Sequence, residues 1–379
     1  MNTQKYLWGA LVLVVLIVGG IYVGSRSSRS GSSDTIKIAF LGPLSGDVAV
    51  YGENEKKGFD LAVDEINAVG GIDGRLLESV VEDTQCDPKR SVAAAQKVTQ
   101  IDHVLAIVGD TCSSAVIAMR PILDTAKVPA ITPTAGADSI SGSSAFQFRN
   151  FVPNKLYAGR AAELFRSSLK TDRIAVLYID NDLGKSLSDD MTQNLGNKVI
   201  FNEGYSSDTK DFRSLLTKLS TKNPGVVYLA GYYQDGALII RQAHELGLSF
   251  VFFGSGDAYD DPQFIALAGA DNLEGFTYLS VPKEGGPAYQ HFHDVYVAKY
   301  QSEPVVYADY TYDTVQVIAE AIRDAKKKGD VSPEVIAQSL RTVEFQGASN
   351  LVKFNALGDV INPAIILKRI SKGVAEAVK

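Results

Sequence analysis

An acid follows an apolar run near the middle of the chain: residues 250–254 lead into Ser255, Gly256 and Asp257. A carboxylate at the end of a buried strand is placed to meet an ammonium, although a plain turn or cap residue would occupy the same position. Asp110-Thr111-Cys112-Ser113-Ser114 follows the apolar run 106–109 and opens a stretch carrying Val116, Ile117 and Met119. Ser113 and Ser114 thus sit where a helix start offers free N–H groups and a hydroxyl to an anion such as a carboxylate. Ser113 as a simple N-cap is the competing assignment. Three other turns follow apolar runs in the same way. They are Gly42-Pro43-Leu44-Ser45-Gly46 with Tyr51-Gly52, Pro133-Thr134-Ala135-Gly136, and Gly231-Tyr232-Tyr233. Together the turns offer an anion pole, a cation pole and aromatic walls, which is the chemistry of holding a small zwitterion.

Signals for bond-making chemistry are weak. The chain has no G-x-G-x-x-G, no Walker phosphate loop and no G-x-S-x-G nucleophile elbow. Of its four histidines, His291 and His293 are two apart in a helical stretch, so they point away from each other and do not form a metal pair. Cys112 as a nucleophile would need a base beside it. The expectation is a binding protein without catalytic residues, cofactor or metal.

The elements that must carry these turns are legible as alternating strands and helices. Val/Ile-rich runs at 36–41, 76–82, 106–109, 130–132, 174–179, 198–202, 226–230, 250–254 and 275–279 are separated by helical patterns, the signature of βαβ units and parallel sheets. Phe59, Ala62, Val63 and Ile66 share one helical face ending at Gly70-Gly71, and Asp87-Pro88 supplies a cap and a first-turn proline. The series runs twice, breaking between Arg149 and Pro153. The expected class is α/β, with two doubly wound parallel-sheet lobes. Residues 289–328 add helices without strands, which places them back on the first lobe.

Bulk properties agree. A chain of 379 residues exceeds the usual single-core size of about 250 to 300 residues. Its 45% hydrophobic and 21% charged residues describe a globular protein, and a net charge of -7 argues against nucleic-acid binding. Residues 6–24 form an uncharged apolar run of membrane-spanning length with no Ala-x-Ala cleavage pattern, read as an uncleaved N-terminal membrane-anchor helix or signal. Lys5 on one side and Arg26 and Arg29 on the other leave its orientation open. A Ser/Gly-rich linker, 25–34, follows. Behind an export segment the two cysteines, Cys86 and Cys112, suggest a disulfide, which on the chain-entropy model contributes roughly 3.5 kcal/mol. Two unpaired buried thiols in a reducing compartment are the alternative.

The order of the motifs carries a resemblance. The five-residue turn beginning at Gly42, the stretch from Asp64 to Ile72 (DEINAVGGI), Glu82-Asp83-Thr84-Gln85-Cys86-Asp87-Pro88, Ile131-Thr132-Pro133, Lys210-Asp211-Phe212, Tyr310-Thr311-Tyr312-Asp313 and Phe354-Asn355-Ala356-Leu357-Gly358-Asp359 stand in one sequence. From residue 36 to about 373 the chain resembles the leucine/isoleucine/valine-binding family of ABC-transporter solute-binding proteins, which has the type I periplasmic-binding fold. The resemblance implies that Ser113 holds a ligand carboxylate, that groups around Thr134 and Gly136 hold both ends of an amino acid, and that Asp257 pairs with its ammonium. It further implies Tyr51 and Tyr232 as aromatic walls and a Cys86–Cys112 disulfide. The implied lobes are 35–151 with 280–358 and 152–279 with 359–379, joined by three hinge strands. An extracytoplasmic uptake component is implied, binding a branched-chain-like amino acid or related small polar molecule and delivering it to ABC permease subunits. The alternative is a sensing domain of the same fold for an amide, urea or aromatic acid. Two positions depart from the family: Gly136 stands where a threonine hydroxyl is usual, and Leu183 stands where a tyrosine commonly precedes the glycine.

Overall fold

Strands buried on both faces read as unbroken apolar runs, and they assemble into parallel sheets covered by helices. In the computed structural model, which describes residues 35–283 and 285–378, two such sheets form. The first contains β1 (Ile36–Gly42), β2 (Leu77–Asp83), β3 (Ala106–Gly109), β4 (Ala130–Thr132) and β5 (Gln147–Arg149), all parallel in the order β2-β1-β3-β4-β5. Its connections are α1 (Ala49–Ala68), α2 (Pro88–Gln100) and α3 (Ser113–Ala126). The chain then enters α4 (Asn154–Leu164) and builds a second series. This series comprises β6 (Ile174–Ile179), α5 (Asp182–Leu195), β7 (Val199–Tyr205), α6 (Arg213–Ser220), β8 (Val226–Ala230), α7 (Tyr233–Glu245), β9 (Phe252–Gly254), α8 (Pro262–Ala268) and β10 (Thr277–Ser280). Next come α9 (Pro287–Tyr300), α10 (Ala308–Lys327), α11 (Pro333–Leu340) and a small ribbon, β11 (Phe345–Gln346) with β12 (Leu351–Val352). A hairpin, β13 (Ile366–Ser371) and β14 (Val374–Ala377), joins the second sheet antiparallel to β10, in the order β14-β13-β10-β9-β8-β6-β7.

In each sheet strand order reverses beside the first strand laid down. The crevice beyond the carboxyl ends lies between β1 and β3 in one sheet and between β6 and β8 in the other. The turns that follow those four strands therefore converge on the places where parallel sheets bind ligands.

Local signals operate as their spacing requires. Phe59, Ala62, Val63 and Ile66 are buried on one face of α1, and the Asp87 side chain accepts from the Arg90 N–H at 2.9 Å to cap α2. Gly58 lets α1 meet the start of α10 at backbone distance, because a Cβ there would lie 2.0 Å from the Ala308 carbonyl oxygen. Helices α9 and α10 occupy the stretch expected to be helical, and α1 packs against α10 on the first sheet. The strands β5, β13 and β14 carry little apolar signal. β5 is three residues at a sheet edge, and the β13–β14 hairpin places Lys368 and Arg369 in a half-exposed strand around a Lys372-Gly373 turn. At the joins, Ser280 pairs with Ile366 in the second sheet, while the Val360 and Ile361 N–H groups donate to Arg149 and Lys353. No helix among the described residues is long and apolar enough to cross a membrane, and the apolar run 6–24 and the linker 25–34 lie outside those residues.

Candidate functional site

The turns after β1, β3, β4, β8 and β9 line a cavity between the two sheets, the place where parallel sheets of this kind bind small molecules. Tyr51, Ser113, Thr134, Gly136, Tyr232 and Asp257, the six residues singled out from sequence, all line it. So does Leu183, and Phe151, Asn154, Tyr157 and Tyr307 complete much of the wall. None of the described lining residues is Lys, Arg or His.

One pole is built for an anion. Cys112, not Ser113, caps α3, so Ser113 is the first helical residue. Its Oγ accepts from the Ala137 N–H at 3.2 Å, which leaves the hydroxyl hydrogen to donate into the cavity beside the N–H groups that a helix start leaves unpaired. Cys112 is joined to Cys86, so the turns before α2 and α3 are covalently tied.

Beneath this pole lies a carboxyl that sequence did not single out. Glu55, one helical turn after Tyr51 on α1, is fully buried and receives the hydroxyls of Thr111 and Thr134, each at 2.8 Å. Burial pushes its pKa up to about 8 against those two hydrogen bonds. With its hydrogen donated to Glu55, the Thr134 oxygen faces the cavity as an acceptor. The turn bearing Thr134, Ala135 and Gly136 is held by Arg149, which is fully buried and donates from Nη1 to the Gly136 and Ala137 carbonyls at 2.9 Å each. Asp359 holds that guanidinium through Oδ1, at 2.9 Å from Nε and 2.6 Å from Nη2.

The other pole is acidic. Asp257 is 5% exposed, at the start of a short 3₁₀ turn after β9, and burial, reinforced by the charge of Asp260, raises its pKa to about 8. The cation that acts on it, Lys368, is itself engaged by both oxygens of Asp260 at 2.8 Å. Asp257 therefore faces the cavity with no ion-pair partner among the described residues.

The two sides of the cavity are in contact. The Tyr51 hydroxyl lies 3.3 Å from Gln234 Oε1 and receives the Tyr233 N–H at 3.4 Å, and the Tyr232 hydroxyl lies 3.4 Å from Cys112 Sγ. The Asp182 N–H donates to Ser114 Oγ at 3.2 Å, and Lys210 pairs with Asp47 at 3.1 Å. The rings of Tyr51, Tyr232 and Tyr307 pack at centroid distances of 5.8 and 5.6 Å from Tyr51. Asn154, Tyr157, Phe151 and Tyr307 were missed because none follows the carboxyl end of a strand that its own run announces. Phe151, Tyr157 and Tyr307 are aromatic, but only Tyr307, just before the helical stretch 308–327, stands at an element start that the sequence marks.

Residues 35–373 match the family model described as periplasmic binding protein. The chain is 33% identical to the leucine-, isoleucine-, valine-, threonine- and alanine-binding protein of Pseudomonas aeruginosa, over 90% of this chain and 91% of that one. It is 30% identical to the Leu/Ile/Val-binding protein of Escherichia coli over 83% and 87% of the two chains. Its fold matches the branched-chain amino acid transporter substrate binding protein of Streptococcus pneumoniae, solved with isoleucine, with a TM-score of 0.82 and 27% identity, covering 91% of this chain and 99% of that one. The family comprises substrate-binding, non-enzymatic components that work outside the cytoplasm. With its two doubly wound sheets and the cavity between them, this chain belongs to the periplasmic binding proteins, in the branched-chain amino-acid group of ABC-transporter solute-binding proteins.

Proposed function

We propose that the chain captures a free α-amino acid with an apolar side chain, branched-chain amino acids foremost, and presents it to ABC permease subunits. The observation that carries this reading is the pairing of a buried Asp257, without an ion-pair partner among the described residues, with the Ser113 hydroxyl across one cavity whose described lining contains no basic side chain. A ligand that satisfies both ends must bring its own ammonium and its own carboxylate. The tyrosine walls and Leu183 suit an apolar side chain. The relatives named for leucine, isoleucine and valine support the same ligand class.

In this reading Ser113 and backbone N–H groups of the turn after β4 hold the carboxylate, the Thr134 oxygen and Asp257 face the ammonium, and Tyr51 and Tyr232 close over the side chain. Two bodies move, 35–151 with 280–358 and 152–279 with 359–379, to within a few residues at each join. Residues 6–24 hold the domain at the outer face of the cytoplasmic membrane through the linker 25–34.

Thermal-shift screening tests the ligand class, because binding to the folded state raises stability by RT ln(1 + [L]/Kd). Leucine, isoleucine or valine should raise the melting temperature, whereas acetamide, urea and benzoate should not. A response to one of the latter three alone would favour a sensor of amides, ureas or aromatic acids. N-terminal sequencing of the membrane fraction tests the anchor, and a mature start between Ser25 and Asp34 would sink it.

A further inference from the structure

We propose that the first turn of α4 completes the cation pole, with Asn154 Oδ1 and the Tyr157 hydroxyl in the place of the side chain that residue 136 lacks, and that this turn makes the site selective for a primary ammonium. The inference rests on the amino-acid reading above. A Cβ built on Gly136 would lie 2.2 Å from Asn154 Oδ1, so the amide occupies the volume that any side chain at 136 would need. Its orientation is decided by chemistry. The Leu183 carbonyl, 3.1 Å from Asn154 Nδ2, can only accept, so the NH₂ must face it and the oxygen must face residue 136. The backbone repeats the arrangement: the Asn154 N–H donates to the Gly136 carbonyl at 2.8 Å, and that carbonyl is also held by Arg149.

Tyr157 lies three residues on, hence on the same face of α4. It is 3% exposed and lines the cavity, and its hydroxyl makes no hydrogen bond of ordinary length among the described residues, with the Asp257 carboxylate the acceptor toward which it is placed. It also stands within the field of the Asp257 carboxylate. Asn154 Oδ1, the Tyr157 oxygen and the Asp257 carboxylate thus border one space, all able to accept. A primary ammonium presents three N–H donors and no acceptor, which matches such a set. An N-methylated ammonium keeps the charge that Asp257 needs but gives up one donor.

The test uses the full chain in detergent, titrated with L-leucine and, by competition, with N-methyl-L-leucine. Asn154→Ala should weaken L-leucine by about tenfold, the scale of one lost hydrogen bond, and should lower the preference for L-leucine over its N-methyl analogue by at least about fivefold. Tyr157→Phe should shift that preference in the same direction. Pairing Gly136→Thr with Asn154→Ala removes the overlap and returns a hydroxyl, so the double variant should recover L-leucine affinity to within about threefold of wild type. If both variants weaken the two ligands equally, the turn is merely structural and the proposal fails while the amino-acid reading survives. If Asn154→Ala binds L-leucine within twofold of wild type, the proposal fails in the same way. If the wild-type chain binds neither L-leucine nor another amino acid, the amino-acid reading itself is overturned.

Discussion

Asp257 must hold a charge where water does not reach. Replacing it with alanine should strand the ligand ammonium and weaken amino-acid binding by roughly 2 to 5 kcal/mol, about thirtyfold to several thousandfold, in calorimetric titration. Ser113→Ala should cost less, because the N–H groups of the α3 start still face the carboxylate. The pH dependence has a definite sign. Asp257 is protonated below about 8 in the empty fold but ionised above about 4 when unfolded, so between those values the folded state carries more protons. The stability of the empty protein should therefore fall as pH rises from about 4 to about 8 and level off above, a trend to which Glu55 adds. A bound ammonium reverses the preference of Asp257. Affinity should climb by up to tenfold per pH unit toward pH 8, with a proton released on binding below it, and Asp257→Asn should flatten the profile. Calorimetry in buffers of different ionisation enthalpy would read that proton directly. Asp257, Ser113, Thr134, Gly136, Tyr51 and Tyr232 could be found in the sequence because each closely follows an apolar strand run. Asn154 and Glu55 could not, since one is placed by a helix entry and the other by the depth of α1 beneath two threonines.

Among the elements, the turn after β4 depends most on residues distant in sequence. Arg149 and Asp359 are 210 positions apart, and the pair fixes the Gly136 and Ala137 carbonyls from behind. Removing one partner leaves a buried, uncompensated charge, so Asp359→Ala should lower the unfolding free energy by about 3 to 5 kcal/mol in denaturant titration. Replacing both with apolar residues, Arg149→Met with Asp359→Leu, should cost less than the single change, although it frees the turn and should still weaken binding. Gly58→Ala should also destabilise, since α1 and α10 already meet at the Ala308 carbonyl. The strands β1, β3, β4, β6 and β8 were legible because burial on both faces forces continuous apolar runs. The β13–β14 hairpin was not, because a half-exposed edge tolerates charge at alternate positions and its pairing with β10 is set by tertiary contact.

For the whole molecule, the contacts across the cleft are few and soft. Apart from the exposed Lys210–Asp47 pair, the hydrogen bonds that join the two sides there include those of Tyr51, Tyr232 and Ser114, of the Asp138 N–H to Ser186 and of Gln234 to the Asp47 carbonyl, all between 3.2 and 3.4 Å and neutral. The Asp190 carboxyl, its pKa raised by burial and by Asp138, meets another acid there. Exposed ion pairs contribute about 0 to 1 kcal/mol, and neutral hydrogen bonds about 0.5 to 1.5 kcal/mol each. Closure must therefore draw much of its driving force from a ligand that touches both sides. Small-angle scattering should show the empty chain more extended and the leucine-loaded chain contracted, whereas Gln234→Ala should change the loaded affinity by less than about fivefold. Soft latches also govern the fidelity of the message the protein carries. A receptor whose shut form were self-sustaining would announce cargo it did not hold, and any membrane machine reading that shape would cycle for nothing. By keeping its own seam weak, this chain makes the shut shape a report of occupancy, and false alarms stay as rare as unliganded closure.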